Sequence, residues 1–240
     1  MTRPVVFKLT SVIKQYNGRE VLDIPNLEIR ENEFFVVVGP SGAGKSTLLK
    51  LLDFLEQPDK GEVTYSGKLV SGSEAIMVRR EVGLVFQRPE MLAGSVRDNV
   101  SYPLKLRGES SDGRVEKILE HLHLNALAET HTSQLSGGES QRVAFARVCI
   151  TRPKVLLMDE PTANLDPYHV GLIEAMAQQM HENGATVILV THNVFQARRL
   201  AKRVGLMLGG KMVEIGEVED FFSKPNDPRA KEFVHGKMVY

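Results

Sequence analysis

An unbroken apolar run, Phe34, Phe35, Val36, Val37 and Val38, leads without a spacer into a glycine-rich stretch of nine residues, 39–47. Five consecutive apolar residues fit a strand covered on both faces, which is the habit of parallel sheets. Residues 47–55 then read as a helix, with leucines at 48, 49, 51, 52 and 55. A buried strand that passes through glycines directly into a helix leaves few architectures open. Parallel strands need long crossovers, and helices are the usual way to make them. The chain is therefore expected to be α/β.

The rest of the chain supports that frame. Short alternating runs at 5–9, 21–24 and 27–29 read as strands, with Asn17-Gly18 as a hairpin turn. Residues 61–65 and 68–70 read as a second hairpin, and 204–208 with 212–215 as a third, across Gly209 and Gly210. Runs at 82–86, 155–158 and 186–190 read as further buried strands. A helix over 170–182 joins the last two as a parallel β–α–β unit. From 95 to about 130 the spacing of Val115, Ile118, Leu119, Leu122 and Leu124 is helical. The tail 221–240 reads as short and polar, broken by Pro225 and Pro228. One domain of 240 residues is expected, with 1–87 and 151–240 as the core with its antiparallel layer, and 88–150 as an inserted helical subdomain.

Composition excludes some functions. Thirty basic residues balance thirty acidic ones, so no basic surface argues for nucleic acid as a partner. The lone cysteine, Cys149, has no partner for a disulfide and sits in an apolar run, so a buried thiol in a reducing compartment is expected. The first residues hold no long apolar segment of the kind found in secretory leaders. No apolar run approaches the ~20 residues needed to cross a bilayer, so work at a membrane requires docking onto a partner that spans it.

The loop carries the chemistry. Gly39, Pro40, Ser41, Gly42, Ala43, Gly44, Lys45 and Ser46 match the spacing G-x-x-x-x-G-K-[ST], and Thr47 follows. Glycines let the backbone wrap a phosphate, and successive N–H groups at a helix N-terminus form an anion cradle. Lys45 then reaches the β- and γ-phosphates of a nucleoside triphosphate, and Ser46 gives an oxygen to magnesium. Asp159 and Glu160 close the buried run 155–158. Adjacent strand residues face opposite ways, so their roles can differ. Asp159 suits the magnesium shell, and Glu160 suits the base that polarises the attacking water.

A second glycine-bearing segment lies about a hundred residues on. Ser136, Gly137, Gly138 and Glu139 fit a capping box at a helix start. A cap alone does not explain two glycines in a first turn, where they weaken a helix. Close approach to the backbone does explain them, and an exposed helix N-terminus is a second anion site.

This segment, within 135–142, resembles the signature motif of ABC-type ATPases, and the family's other motifs appear in order over essentially the whole chain. Gln87 resembles the Q-loop glutamine, residues 163–166 the D-loop, and His192 the switch histidine. Tyr16 falls where the family sets an aromatic against adenine. Asn164 and Asn193 depart from the commoner Ala and Asp, without removing a nucleotide contact. The resemblance implies the ABC ATPase fold, a phosphate-loop core with a mainly parallel sheet, an N-terminal antiparallel β layer and the helical insert. It implies ATP and Mg2+ as cofactors, with Ser46, Gln87 and Asp159 at the metal, and catalysis by Glu160, His192 and Lys45. It also implies a head-to-tail homodimer in which Ser136, Gly137, Gly138, Glu139 and Asp166 act on the partner's nucleotide. Such a subunit works on the cytoplasmic face of a membrane with permease subunits, fed by an extracytoplasmic binding protein.

Residues 85–100 are similar to oxyanion importers, and 191–201 with the ending 233–240 look most like tungstate importers. The expected activity is ATP hydrolysis coupled to uptake of an oxyanion, tungstate first. The rivals are import of molybdate, phosphate or an amino acid, export of the lipoprotein-release type, a soluble ABC protein acting on ribosomes or DNA, and a phosphate-loop kinase. A chain ending at 240 is expected to carry no appended regulatory domain.

Overall fold

The computed structural model describes residues 3–70, 72, 74–163 and 165–236. In chain order, β1 (Val5–Tyr16) and β2 (Arg19–Arg30) form a long antiparallel hairpin across Asn17-Gly18, with Tyr16 opposite Arg19. β3 (Phe34–Val38) runs into the glycine loop and then α1 (Lys45–Leu52). The helix stops at Asp53, short of the expected 55, and Phe54 takes a left-handed backbone. β4 (Lys60–Tyr65) and β5 (Lys68–Leu69) make the second hairpin and join the first in a sheet of order β2-β1-β4-β5.

α2 (Glu74–Glu81) leads into β6 (Val82–Val85). The helical stretch divides into α3 (Val96–Arg107), α4 (Arg114–His121), two single turns of 3-10 helix and α5 (Gly137–Cys149). β7 (Val155–Asp159), α6 (Pro167–Glu182) and β8 (Thr186–Thr191) are the expected parallel unit, and β7 pairs directly with β8. α7 (Val194–Leu200), β9 (Arg203–Leu208), β10 (Lys211–Glu217), α8 (Val218–Ser223) and α9 (Pro228–Val234) complete the described chain. The large sheet has order β10-β9-β3-β8-β7-β6, parallel except for β10.

Two expectations are corrected. The run 82–86 is not buried on both faces: β6 is the sheet's edge, and Phe86 beyond it is 44% exposed. Nor is the tail merely polar. Phe221, only 1% exposed, and Ala230 anchor α8 and α9 to the core. Phe221 and Phe222 are adjacent and Phe233 follows only eleven residues later, so these side chains show no helical period. The ending 237–240 lies outside the described residues.

The large sheet separates two apolar clusters. Phe34, Val36 and Val38 face one, which takes in the helices α3 to α9. Phe35 and Val37 face the other, shared with the antiparallel sheet and α1. Strand alternation makes this division. Cys149 lies in the first cluster, and burial pushes its thiol well above the ordinary range.

Candidate nucleotide site

The loop 39–47 hangs from the C-terminal end of β3, in the middle of the sheet. Glycine is needed at Gly39, where a Cβ would meet the carbonyl oxygen of Met207 at 2.2 Å. It is needed again at Gly44, with φ 100°, where a Cβ would sit 2.8 Å from Leu22 and from the Val21 oxygen. Gly44 caps α1 without any side-chain hydrogen bond, so the N–H groups of that first turn face outward as donors. They are what an anion cradle requires.

Lys45 is buried and folds back over its own loop. Its Nζ donates to the carbonyls of Gly39 at 2.8 Å and Pro40 at 3.0 Å, and lies 3.8 Å from Glu160 Oε1. Desolvation lowers its pKa, and the charges of Glu160 and Asp159 oppose that shift. Asp159 is buried at the end of β7, and Ser46 hydrogen-bonds its carboxylate. Burial raises the Asp159 pKa.

Glu160 departs from strand geometry. Its φ of 43° is left-handed, a conformation that glutamate seldom adopts. The turn lets its carboxylate share the loop side with Asp159. Three side chains gather on it: Lys45, Gln87, whose Nε2 donates to Oε2 at 3.3 Å, and His192, whose Nδ1 lies 3.0 Å from Oε2. Non-glycine strain of this kind clusters at functional sites. Gln87 and His192 are both exposed, so their amide and ring can turn toward a ligand.

Tyr16 stands at the rim, 37% exposed. Its hydroxyl donates to Glu56 and lies in hydrogen-bond reach of Thr47, and Lys14 Nζ sits 5.5 Å from the ring centroid. Desolvation, then Glu56, raises its pKa. One face of the ring thus carries a cation, and the phenol is fixed beside the loop.

The donor set fits magnesium. Ser46 and Asp159 supply hard oxygens side by side, and magnesium takes the rest of its octahedron from phosphate oxygens and water. Among the described residues no group of three His, Cys, Asp or Glu forms an all-protein metal cage.

The segment 136–139 is not part of this cluster. Ser136 Oγ accepts from the Glu139 N–H at 3.3 Å, and Glu139 Oε2 accepts from the Ser136 N–H at 2.8 Å, a reciprocal capping box. The two glycines differ. A Cβ on Gly137 would meet nothing, so its backbone is open to an approaching group. A Cβ on Gly138 would stand 3.0 Å from Leu165, so packing inside the chain already favours glycine there. Asp166 caps α6, accepting from the N–H groups of Tyr168 at 3.0 Å and His169 at 3.2 Å. The hydrogen bond from His169 holds its pKa low. Asn164 lies outside the described residues.

Sequence reasoning missed the supports of the site. Glu56 fixes Tyr16, and Gln196, Glu174 and Arg199 tie α7 to α6. The one available signal was that Gln196 lies four residues beyond His192.

Comparison with known proteins places the chain in a family. The family described as ABC transporter matches residues 22–163, more than half of the chain. A phosphate import ATP-binding protein of Natronomonas pharaonis is 38% identical, covering 94% of this chain and 84% of its own. A probable anion import ATP-binding protein of Haloferax volcanii is 39% identical over 92% and 83%. A methionine import ATP-binding protein of Xylella fastidiosa is 40% identical over 91% and 68%. Among solved structures, an ATP-binding cassette dimer in a post-hydrolysis state, bound to ADP and Pi, aligns with a TM-score of 0.82. It is 32% identical over 88% of this chain and 98% of its own. With the loop, the carboxylate pair and the sheet order in place, the chain belongs to the ABC transporter family, as an ATP-binding and ATP-hydrolysing subunit that works with magnesium.

Proposed function

We propose that this subunit powers uptake of an oxyanion, tungstate first, through a membrane permease. The observation that carries the hydrolytic part is the Glu160 carboxylate, set beside the loop lysine and between Gln87 and His192. Residues 39–47 cradle the triphosphate through backbone N–H groups, and Lys45 exchanges its two carbonyls for phosphate oxygens. Ser46 and Asp159 would hold magnesium, with the Gln87 amide oxygen as a further donor. When bound, the ion would neutralise phosphate charge. Glu160 orients the attacking water and accepts its proton, while His192 holds Glu160 and reaches the γ-phosphate. Tyr16 stacks on the base.

A second copy completes the site with Ser136, Gly137, Gly138 and Glu139, and with Asp166 nearby. The open backbone at Gly137 supports this, as does the dimer of the solved relative. We further propose that 88–150 forms a helical subdomain inserted into the core domain. No helix among the described residues is long and apolar enough to cross a membrane. The permease must therefore supply the pore, with this subunit on its cytoplasmic face and a binding protein outside.

The relatives named for phosphate and anion import support the oxyanion, as does the stretch 85–100, and the stretch 191–201 looks most like tungstate importers. The methionine importers, at a similar identity, support a second reading, amino-acid import. The test is ATP hydrolysis by the complex reconstituted with its permease and binding protein. Tungstate should stimulate more than molybdate or phosphate, and methionine not at all. Stimulation by methionine alone would overturn the oxyanion reading.

A further inference from the structure

We propose that Gln196 is a positioning residue for hydrolysis: it locks the turn that carries Glu160 to the helix that follows His192. The inference rests on the reading of Glu160 as the base and His192 as its partner.

Gln196 is 2% exposed, in the first turn of α7. Its Nε2 donates to Thr162 Oγ1 at 3.0 Å and to Glu174 Oε1 at 2.9 Å. Thr162 is two residues past Glu160, in a turn closed by the Ala163 N–H on the Glu160 carbonyl at 3.1 Å. At its other end, the backbone N–H of Gln196 donates to Asn193 Oδ1 at 3.1 Å, and the Asn193 N–H donates to Thr191 Oγ1 at 3.0 Å. His192 lies between those two residues. One side chain therefore spans the two segments that meet at the Glu160–His192 contact.

Glu174 fixes the bridge from α6. Arg199 donates to it through Nε at 2.9 Å and Nη2 at 2.6 Å, a bidentate pair. A carboxylate accepts only, so the amide must turn its NH2 toward Glu174. That leaves Gln196 Oε1 buried without a partner. An apolar residue would avoid the orphaned oxygen, and a glutamate would set two carboxylates in contact. The glutamine makes sense as a neutral group whose NH2 donates twice, to both segments at once.

The experiment is steady-state ATP hydrolysis with ATP affinity, on the full chain in its complex. Q196A should lower kcat about tenfold or more, because small misplacements of a reacting group carry large rate penalties. ATP affinity should stay within about twofold, since the loop 39–47 is untouched. Q196E should be worse than Q196A. Combining it with E174Q restores one amide facing one carboxylate, and kcat should recover toward the parent. The exchange keeps the volume, so it also serves if Q196A folds poorly. A parent-like kcat in Q196A would overturn the proposal, as would a double variant no better than Q196E. E160Q in the same assay separates the two readings. If E160Q retains the parent rate, the assignment of the base fails. If E160Q is inert while Q196A is parent-like, only the bridge fails.

Discussion

Glu160 holds three polar neighbours at once, and its replacement tests the chemistry at the scale of single atoms. Glu160→Gln keeps the hydrogen-bonding shape and removes the base. Hydrolysis should fall by about 100-fold or more with ATP still bound, measured by phosphate release and nucleotide retention. Lys45→Ala should act on binding, lowering ATP affinity roughly 10- to 100-fold for the loss of a charge-assisted contact, measured by calorimetry. Asp53 gives a prediction in pH. Burial pushes its carboxyl up to about 7, with Arg79 at 3.7 Å opposing the shift. The native state then keeps a proton that the unfolded chain releases, so stability falls as pH rises from about 4 to about 7. Asp53→Asn removes this titration. In urea melts, the variant should gain roughly 2 kcal/mol relative to the parent between pH 5 and pH 8. Equal pH slopes would mean that Asp53 titrates as if in water. The loop residues were legible because glycine freedom and lysine spacing are local properties. Gln196 and Glu174 were not, because they are 22 residues apart and meet only when α6 and α7 pack.

Elements were legible where their period or punctuation was strong. β3 is apolar throughout, β7 and β8 are apolar but for the terminal Asp159, Thr186 and Thr191, and the hairpin at Asn17-Gly18 is marked by its turn residues. α2 and α7 were missed for opposite reasons. α2 has no buried residue, so no apolar stripe betrays it. α7 has seven residues, two turns, too few for a period to show. Its start is set by Asn193, whose side chain accepts from the Gln196 N–H. The tail was misread because prolines and charged residues interrupt its apolar ones, though Phe221 is among the largest fully buried side chains. Phe221→Ala should therefore destabilise the fold by about 3 kcal/mol in urea unfolding, as for other buried aromatics. A loss below about 0.5 kcal/mol would mean that α8 stands clear of the core.

At the scale of the molecule, the sheet order could not be read from the sequence, because pairing partners are set by packing and not by local pattern. β3 lies between β8 and β9, strands more than 140 residues further along the chain. The arrangement nevertheless yields a test of assembly. If each site takes its second half from a partner, a Lys45→Ala chain mixed with a Ser136→Arg chain should regain hydrolysis that neither shows alone. One site of the mixed dimer keeps both intact halves. No recovery on mixing would argue that each chain works with its own segment 136–139. The two-sided burial of β3 has a further consequence. Because its alternate residues belong to different apolar clusters, the strand from which the phosphate loop hangs cannot loosen from one without disturbing the other. Nucleotide is thus a clamp on both halves. The chain should melt in a single transition, and its midpoint should climb with ATP concentration, by the equivalent of about 2.7 kcal/mol at a hundredfold excess over Kd.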